Sequence, residues 1–381
     1  MRPEFLKLRD SEIRAVWQMG FTIPDVVGLW VGESDISTPD FICDAATRAM
    51  KEGKTFYTHQ RGIPELRQAL IEYHQMLYNV TLTDDRIAVT SAGMNAIMAI
   101  VQSLVSPGDN VIGVSPVWPN IFRCVEIMGG STREVPLEPG QNGWFLDIEK
   151  LFAATDHRTR VIYLATPGNP TGWVINDSDR RALLDFARKR NIAIIADEVY
   201  NRLIYNCLAS PSFLEIAEPD DPLFVVNSFS KTWCMTGWRL GWMIMPRNVS
   251  TQMERLIGFN TSGAQPFLQE AAIVAIREGE EWVRQWVDRC RQGRVFVLER
   301  LRNMNRVSVI PSEASFYLML RIEEMGDSIE FCKKMVEEAK IGLAPGAAFG
   351  KGGENFLRLC YAQSELKLAK GMDRLQNFLG N

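Results

Sequence analysis

The chain reads as an α/β protein. A large domain with a mostly parallel central sheet covered by helices is joined to a smaller α+β domain. Three observations predict this. The 381 residues exceed what one hydrophobic core organises, so two domains are expected. Through the middle of the chain, continuous apolar runs of strand length alternate with longer stretches of helical spacing, the pattern of a sheet buried on both faces. The last third breaks that rhythm with a long charged helix followed by an isolated strand.

The strand candidates come in order: Arg86 to Thr90, Asn110 to Val114, Val161 to Ala165, Ile192 to Ala196, Phe224 to Asn227 and Leu240 to Met245. Between them Ile97, Ala99, Ile100 and Leu104, then Leu183, Leu184, Phe186 and Ala187, fall at helical spacing. A charged helical stretch from Glu278 to Arg302 leads out of the sheet region. Ser315 to Leu320 then reads as a strand, and Leu366, Ala369, Met372, Leu375 and Leu379 mark a terminal amphipathic helix. The expected organisation is a segment over 1–40 packing on the small domain, a large domain over 41–284 and a small domain over 285–381. No internal repeat or low-complexity linker interrupts it.

Composition narrows the function. Hydrophobic residues at 46% and charged residues at 23% are ordinary for a globular protein, and a net charge of -4 gives no reason to expect nucleic acid or a membrane surface as partner. No apolar run has the length of a bilayer span, and Met1 to Lys7 lacks the apolar core of a signal peptide, so a cytoplasmic location is expected. The seven cysteines form no CxxC pair and the three histidines show no ligand spacing, so neither a disulfide framework nor a metal site is expected.

The chemistry concentrates in the run from Ser228 to Trp242, where Lys231 stands beside Ser230 and Thr232 and eight residues before Arg239. The run follows a buried strand, a stiff place to hold a reactive amine. A lysine there can shift its pKa and form a Schiff base with an aldehyde, while hydroxyls and an arginine suit a phosphate. Together they point to pyridoxal 5'-phosphate; a surface lysine on a polar turn is the plain alternative. Asp197 follows another strand, placed to keep a pyridine nitrogen protonated, though an aspartate opening a helix would look the same. Tyr200 and the rigid turn bearing Asn169, from Thr166 to Gly172, are candidates to reach the ring's phenolate oxygen. Ala92, Gly93 and Met94 join a strand to a helix whose N–H groups suit a phosphate. Trp118 is placed to stack on the ring, or to pack as core. Arg358, in an otherwise apolar strand, needs an anionic partner: a substrate carboxylate or a structural acid.

Taken together, these residues resemble the class I/II aminotransferases, the fold-type I pyridoxal phosphate enzymes, from Gly32 to about Ala362. The resemblance implies that Lys231 holds the cofactor as an aldimine and moves the proton between the substrate's α-carbon and the cofactor. It implies that Asp197, Asn169 and Tyr200 contact the ring. Ser228, Ser230, Arg239 and the backbone of Ala92, Gly93 and Met94 would form the phosphate cup, Trp118 would stack, and Arg358 would bind the α-carboxylate. Gly32 lies in a segment that would close over substrate. Tyr57 would reach the phosphate of a neighbouring subunit, so a homodimer with shared sites is expected, with amino acids and 2-oxo acids as substrates.

One departure bears on specificity. Met94 stands where an aspartate-using bacterial branch has a lysine for the distal carboxylate, and no other basic residue is an obvious replacement. That argues against an acidic amino donor. Trp30 and Trp17 to Met19 are candidates to line an apolar pocket, or to pack as core. The function expected is ping-pong amino transfer. A carbon–sulfur β-lyase on the same fold is the nearer alternative, and a ligand-sensing regulator with this fold the more distant one.

Overall fold

The computed structural model describes residues 1, 3–8 and 10–380. Seven strands form the main sheet, in the spatial order Ile87–Thr90, Gly241–Ile244, Leu223–Ser228, Ala193–Asp197, Thr159–Ala165, Asn110–Ser115 and Ser131–Pro136. Gly241–Ile244 runs antiparallel to both of its neighbours, and the other six are mutually parallel. Successive side chains of a strand point to opposite faces, and the burial follows that period. Ile162, Leu164, Ile194, Ala196 and Val225 enter the hydrophobic cluster on one face. Val161, Tyr163, Ala193, Ile195, Phe224 and Val226 enter the cluster on the other. Both faces are therefore dry, which is why these strands read as continuous apolar runs.

Beyond the main sheet with its two covered faces, a second region has its own cluster around a four-stranded antiparallel sheet, in the order Val307–Ile310, Tyr317–Ile322, Leu357–Cys360 and Ala344–Pro345. The helix Glu280–Leu301 joins the two regions without a break, burying Val283 in the first cluster and Trp286, Cys290 and Val297 in the second. The position expected to divide the domains thus falls inside a continuous helix. The helix Glu365–Leu379 closes the chain over the second cluster through Leu368, Met372 and Leu375. The N-terminal segment joins the same cluster. Val27–Gly28 pairs in parallel with Ile341–Gly342, and the helix Glu12–Met19 buries Val16 there.

Because six strands run the same way, their carboxyl ends share one edge of the sheet, the edge where open α/β sheets bind ligands. The segments leaving that edge carry Ser91 to Met94, Pro116 to Trp118, Thr166 to Asn169, Asp197 to Tyr200 and Ser228 to Lys231. No helix among the described residues is long and apolar enough to cross a membrane.

Candidate active site

A cavity of about 500 Å³ opens at this edge, between the main sheet and the second cluster. Its lining includes Gly32, Gly93, Met94, Trp118, Asn169, Asp197, Tyr200, Ser228, Ser230, Lys231, Arg239 and Arg358. Residues scattered over more than 300 positions are thus brought to one place by the strand ends of the main sheet together with the N-terminal segment and the small sheet. Ala92 lies just behind the wall, buried, with φ of 99° at the start of the helix Gly93–Leu104. Tyr57 is the exception: it is 93% exposed and lies outside this lining.

Lys231 sits on the short helix Phe229–Thr232, which begins where its strand stops. Ser228 caps that helix, its Oγ accepting the Ser230 N–H at 3.1 Å and donating to Ser230 Oγ at 2.9 Å. The lysine Nζ donates to the Gly32 carbonyl at 2.7 Å and lies 5.9 Å from the Tyr200 ring centroid. Burial pulls its pKa down to about 8, with the Arg358 and Arg239 cations adding to the effect. About a tenth of the amine is therefore neutral at pH 7, far more than a lysine of ordinary pKa near 10.4 offers, as a nucleophilic amine requires.

Asp197 ends its strand with the carboxylate fixed by the Tyr163 hydroxyl at 2.8 Å and the Val199 N–H at 3.3 Å. Burial pushes its pKa up to about 6, against the lowering effect of those hydrogen bonds. An ionised carboxylate with two neutral donors in a dry site is short of a cation. Arg358 lies between the rings of Tyr317 and Phe349, its guanidinium carbon 4.4 and 4.8 Å from their centroids. It donates to Asn169 Oδ1 at 2.8 Å and to the Trp30 carbonyl, while its buried Nε has no partner among the described residues. The turn bearing Asn169 contains two cis peptide bonds, at Pro167 and Pro170. Tyr200 shares a hydroxyl–hydroxyl contact of 2.7 Å with Tyr317.

Arg239 is exposed and donates to the Thr236 carbonyl at 2.6 Å, and it lines the cavity along with Ser228 and Ser230. The helix N-terminus at Gly93 packs there against Gly241. A Cβ at Gly241 would lie 2.5 Å from the Gly93 nitrogen and 2.8 Å from the Asn227 carbonyl oxygen. The lining thus offers N–H groups, hydroxyls and a guanidinium at Gly93, Ser228, Ser230 and Arg239, a carboxylate at Asp197 and an amine at Lys231.

Similarity to known proteins agrees with this geometry. The family model for aminotransferase class I and II matches residues 24–375. The chain belongs to the class I and II aminotransferases. It is 33% identical to an aspartate aminotransferase of Pyrococcus horikoshii, over 98% of this chain and 96% of the relative. It is 32% identical to an aromatic-amino-acid aminotransferase of Thermococcus litoralis, over 97% and 95% of the two chains. Among solved structures, an aspartate aminotransferase from Thermotoga maritima superposes with a TM-score of 0.90 at 31% identity, covering 100% of both chains. An Escherichia coli protein with methionine aminotransferase function superposes with a TM-score of 0.92 at 25% identity, over 99% of each chain. The fold is therefore fold type I, and the chain is an aminotransferase that uses pyridoxal phosphate. These relatives favour amino transfer over the β-lyase and sensor alternatives.

The residues present fit that cofactor. A phosphate suits the group of Gly93, Ser228, Ser230 and Arg239, and a protonated pyridine nitrogen suits the buried carboxylate of Asp197. Three residues of the site escape the sequence reading. Tyr163 is one strand away from Asp197 and signals itself only as a tyrosine in an aliphatic run. Tyr317 and Arg14 carry no local signal at all. Trp17 lines the cavity as expected, whereas Trp30 lies outside it, packed over Gly20, Gly28 and Gly342 and lining a smaller neighbouring cavity.

Proposed function

We propose that Lys231 is the nucleophile and proton carrier of this aminotransferase and that its donors carry apolar or aromatic side chains. The observation that carries the first part is the amine itself: desolvated, with a lowered pKa, and sharing one cavity with Asp197 and Arg358. Pyridoxal phosphate supplies an aldehyde for amines and a ring that takes up the electron pair of a deprotonated α-carbon. Lys231 Nζ, once free, takes the proton from the substrate's α-carbon and returns it later. Asp197 holds a proton at the ring nitrogen by charge, and Tyr163 keeps the carboxylate aimed. Asn169 and Tyr200 would address the phenolate oxygen of the bound cofactor, and Trp118 would offer its ring an aromatic surface. Ser228, Ser230, Arg239 and the backbone at Ala92, Gly93 and Met94 would hold its phosphate.

Arg358 takes the α-carboxylate, and Gly32 lets that segment close over it. A Cβ at Gly32 would lie 1.9 Å from the Tyr317 hydroxyl oxygen. The donor preference rests on the wall: Ile13, Trp17, Val31, Met94 and Ile97 offer apolar surface where a side chain would extend.

The working unit we propose is a homodimer. Phe56, Tyr57 and Phe259 are 81%, 93% and 88% exposed, a concentration of bare aromatic surface that a second copy would cover. Tyr57 would then complete the partner's phosphate site. We assign the enzyme to the cytoplasm, where its cysteines, all free here, stay reduced. The domain boundaries near 40 and 284 belong to the same proposal. Replacing Lys231 with alanine tests the core of it: amino transfer should fall by at least about 10²-fold, the usual contribution of a positioned acid–base group. Full activity in that variant would refute the assignment.

A further inference from the structure

Four basic side chains line the cavity, and three are engaged. Lys231 donates to the Gly32 carbonyl, Arg239 to the Thr236 carbonyl, and Arg358 to Asn169 and the Trp30 carbonyl. The fourth is Arg14. Its guanidinium makes no ion pair or side-chain hydrogen bond with any described residue.

Arg14 belongs to the helix Glu12–Met19, which is held rather than loose. Ser11 Oγ accepts the Arg14 N–H at 3.4 Å, Val16 is fully buried, and Ile13 and Met19 pack partly into the second cluster. Residues three and four apart share a helix face, so Ile13, Arg14 and Trp17 look into the cavity together. Met94 and Ile97, again three apart, on the helix Gly93–Leu104, line the same cavity. Besides Asp197, one acid lines the cavity, Glu33, and its Oε2 accepts from Thr236 Oγ1 at 3.2 Å.

A ping-pong transferase must seat two substrates in the same space. An apolar donor needs only the wall. An acceptor with a second carboxylate needs a cation, because a carboxylate left against apolar surface without a partner is strongly disfavoured. We propose that Arg14 determines acceptor specificity by receiving the distal carboxylate of a dicarboxylic 2-oxo acid such as 2-oxoglutarate. Apolar donors use the same space through Ile13, Trp17, Met94 and Ile97, with the long arginine stem leaving its head in water. The inference rests on the aminotransferase reading of the site.

The test uses pyridoxal phosphate-loaded wild type, Arg14→Met and Arg14→Lys, with leucine as donor. Each is measured with 2-oxoglutarate and with 4-methyl-2-oxopentanoate, which has one carboxylate. Glutarate binding is measured separately by calorimetry. In Arg14→Met the ratio of kcat/KM for the two acceptors should fall about 10- to 100-fold, through KM, the range of a hydrogen-bonded charge. Glutarate affinity should fall with it, and Arg14→Lys should recover part of both. Equal loss with both acceptors would mean that Arg14 only supports its helix, and would overturn the inference. So would an unchanged ratio, or a wild type that does not prefer the dicarboxylic acceptor. A wild type that takes an amino group from no donor would instead refute the reading of the site itself.

Discussion

Lys231 and Asp197 are shifted in opposite directions by the same cause. Burial disfavours whichever form is charged, so the amine falls to about 8 and the carboxyl rises to about 6. Binding of the cofactor aldehyde by the apoenzyme needs neutral Lys231, so its rate should rise with pH through about 8; a rate flat from pH 7 to 9 would contradict this. Asp197→Asn keeps the shape but removes the charge, and amino transfer should drop about 10²- to 10³-fold, the effect of losing one preorganised electrostatic group. Steady-state kinetics on the reconstituted variant checks it. Next in the chain, Glu198 is buried with Oε1 accepting the Phe213 N–H and Oε2 unpartnered among the described residues. Burial raises its pKa to about 8 from an ordinary 4.5. A raised carboxyl favours the fold at pH below 4.5, and that contribution is lost as pH climbs towards about 8. Glu198→Gln should therefore resist urea better than wild type at pH 8, with the gain shrinking by pH 5. Lys231, Asp197 and Arg358 were legible because each is a charge set at the end of, or inside, an apolar run. Arg14 was not, because its meaning depends on where a separate helix docks.

Strand cores were legible because both faces of the sheet are buried, so six of the seven strands show as unbroken apolar runs. Ser131–Pro136 carries no such run: it is one of the two edge strands, and Val135 is its one buried residue. The antiparallel course of Gly241–Ile244 was also invisible, since hydrophobicity carries no direction. That strand matters to the site through Gly241, which lies beneath the helix N-terminus at Gly93. Gly241→Ala would push a methyl into backbone, with a stability loss of about 1–3 kcal/mol, the usual range for overpacking. Urea denaturation should show that loss, and equilibrium dialysis a weaker hold on pyridoxal phosphate. Unchanged cofactor affinity would mean that this helix end does not grip the phosphate.

At the scale of the whole molecule, two hydrophobic clusters cover the faces of the main sheet, a third surrounds the small sheet, and the cavity lies between the two regions. The unbroken helix Glu280–Leu301 could not be foreseen as the bridge, because a helical pattern does not reveal that its two ends serve different cores. The exposed aromatics around Tyr57 predict a dimer of twice the chain's mass in sedimentation. Tyr57→Ala should leave that mass unchanged but speed cofactor loss; a monomeric wild type would contradict the shared-site proposal. The most direct test of the central claim is a single-turnover absorbance experiment on the cofactor-loaded enzyme, mixed with leucine, phenylalanine, methionine or aspartate and no 2-oxo acid. The account predicts that the cofactor converts stoichiometrically to its amine form, fastest with the apolar donors, and that Lys231→Ala does not convert. A cofactor that stays in its aldehyde form with every donor, or a Lys231→Ala enzyme that converts at the wild-type rate, would contradict it.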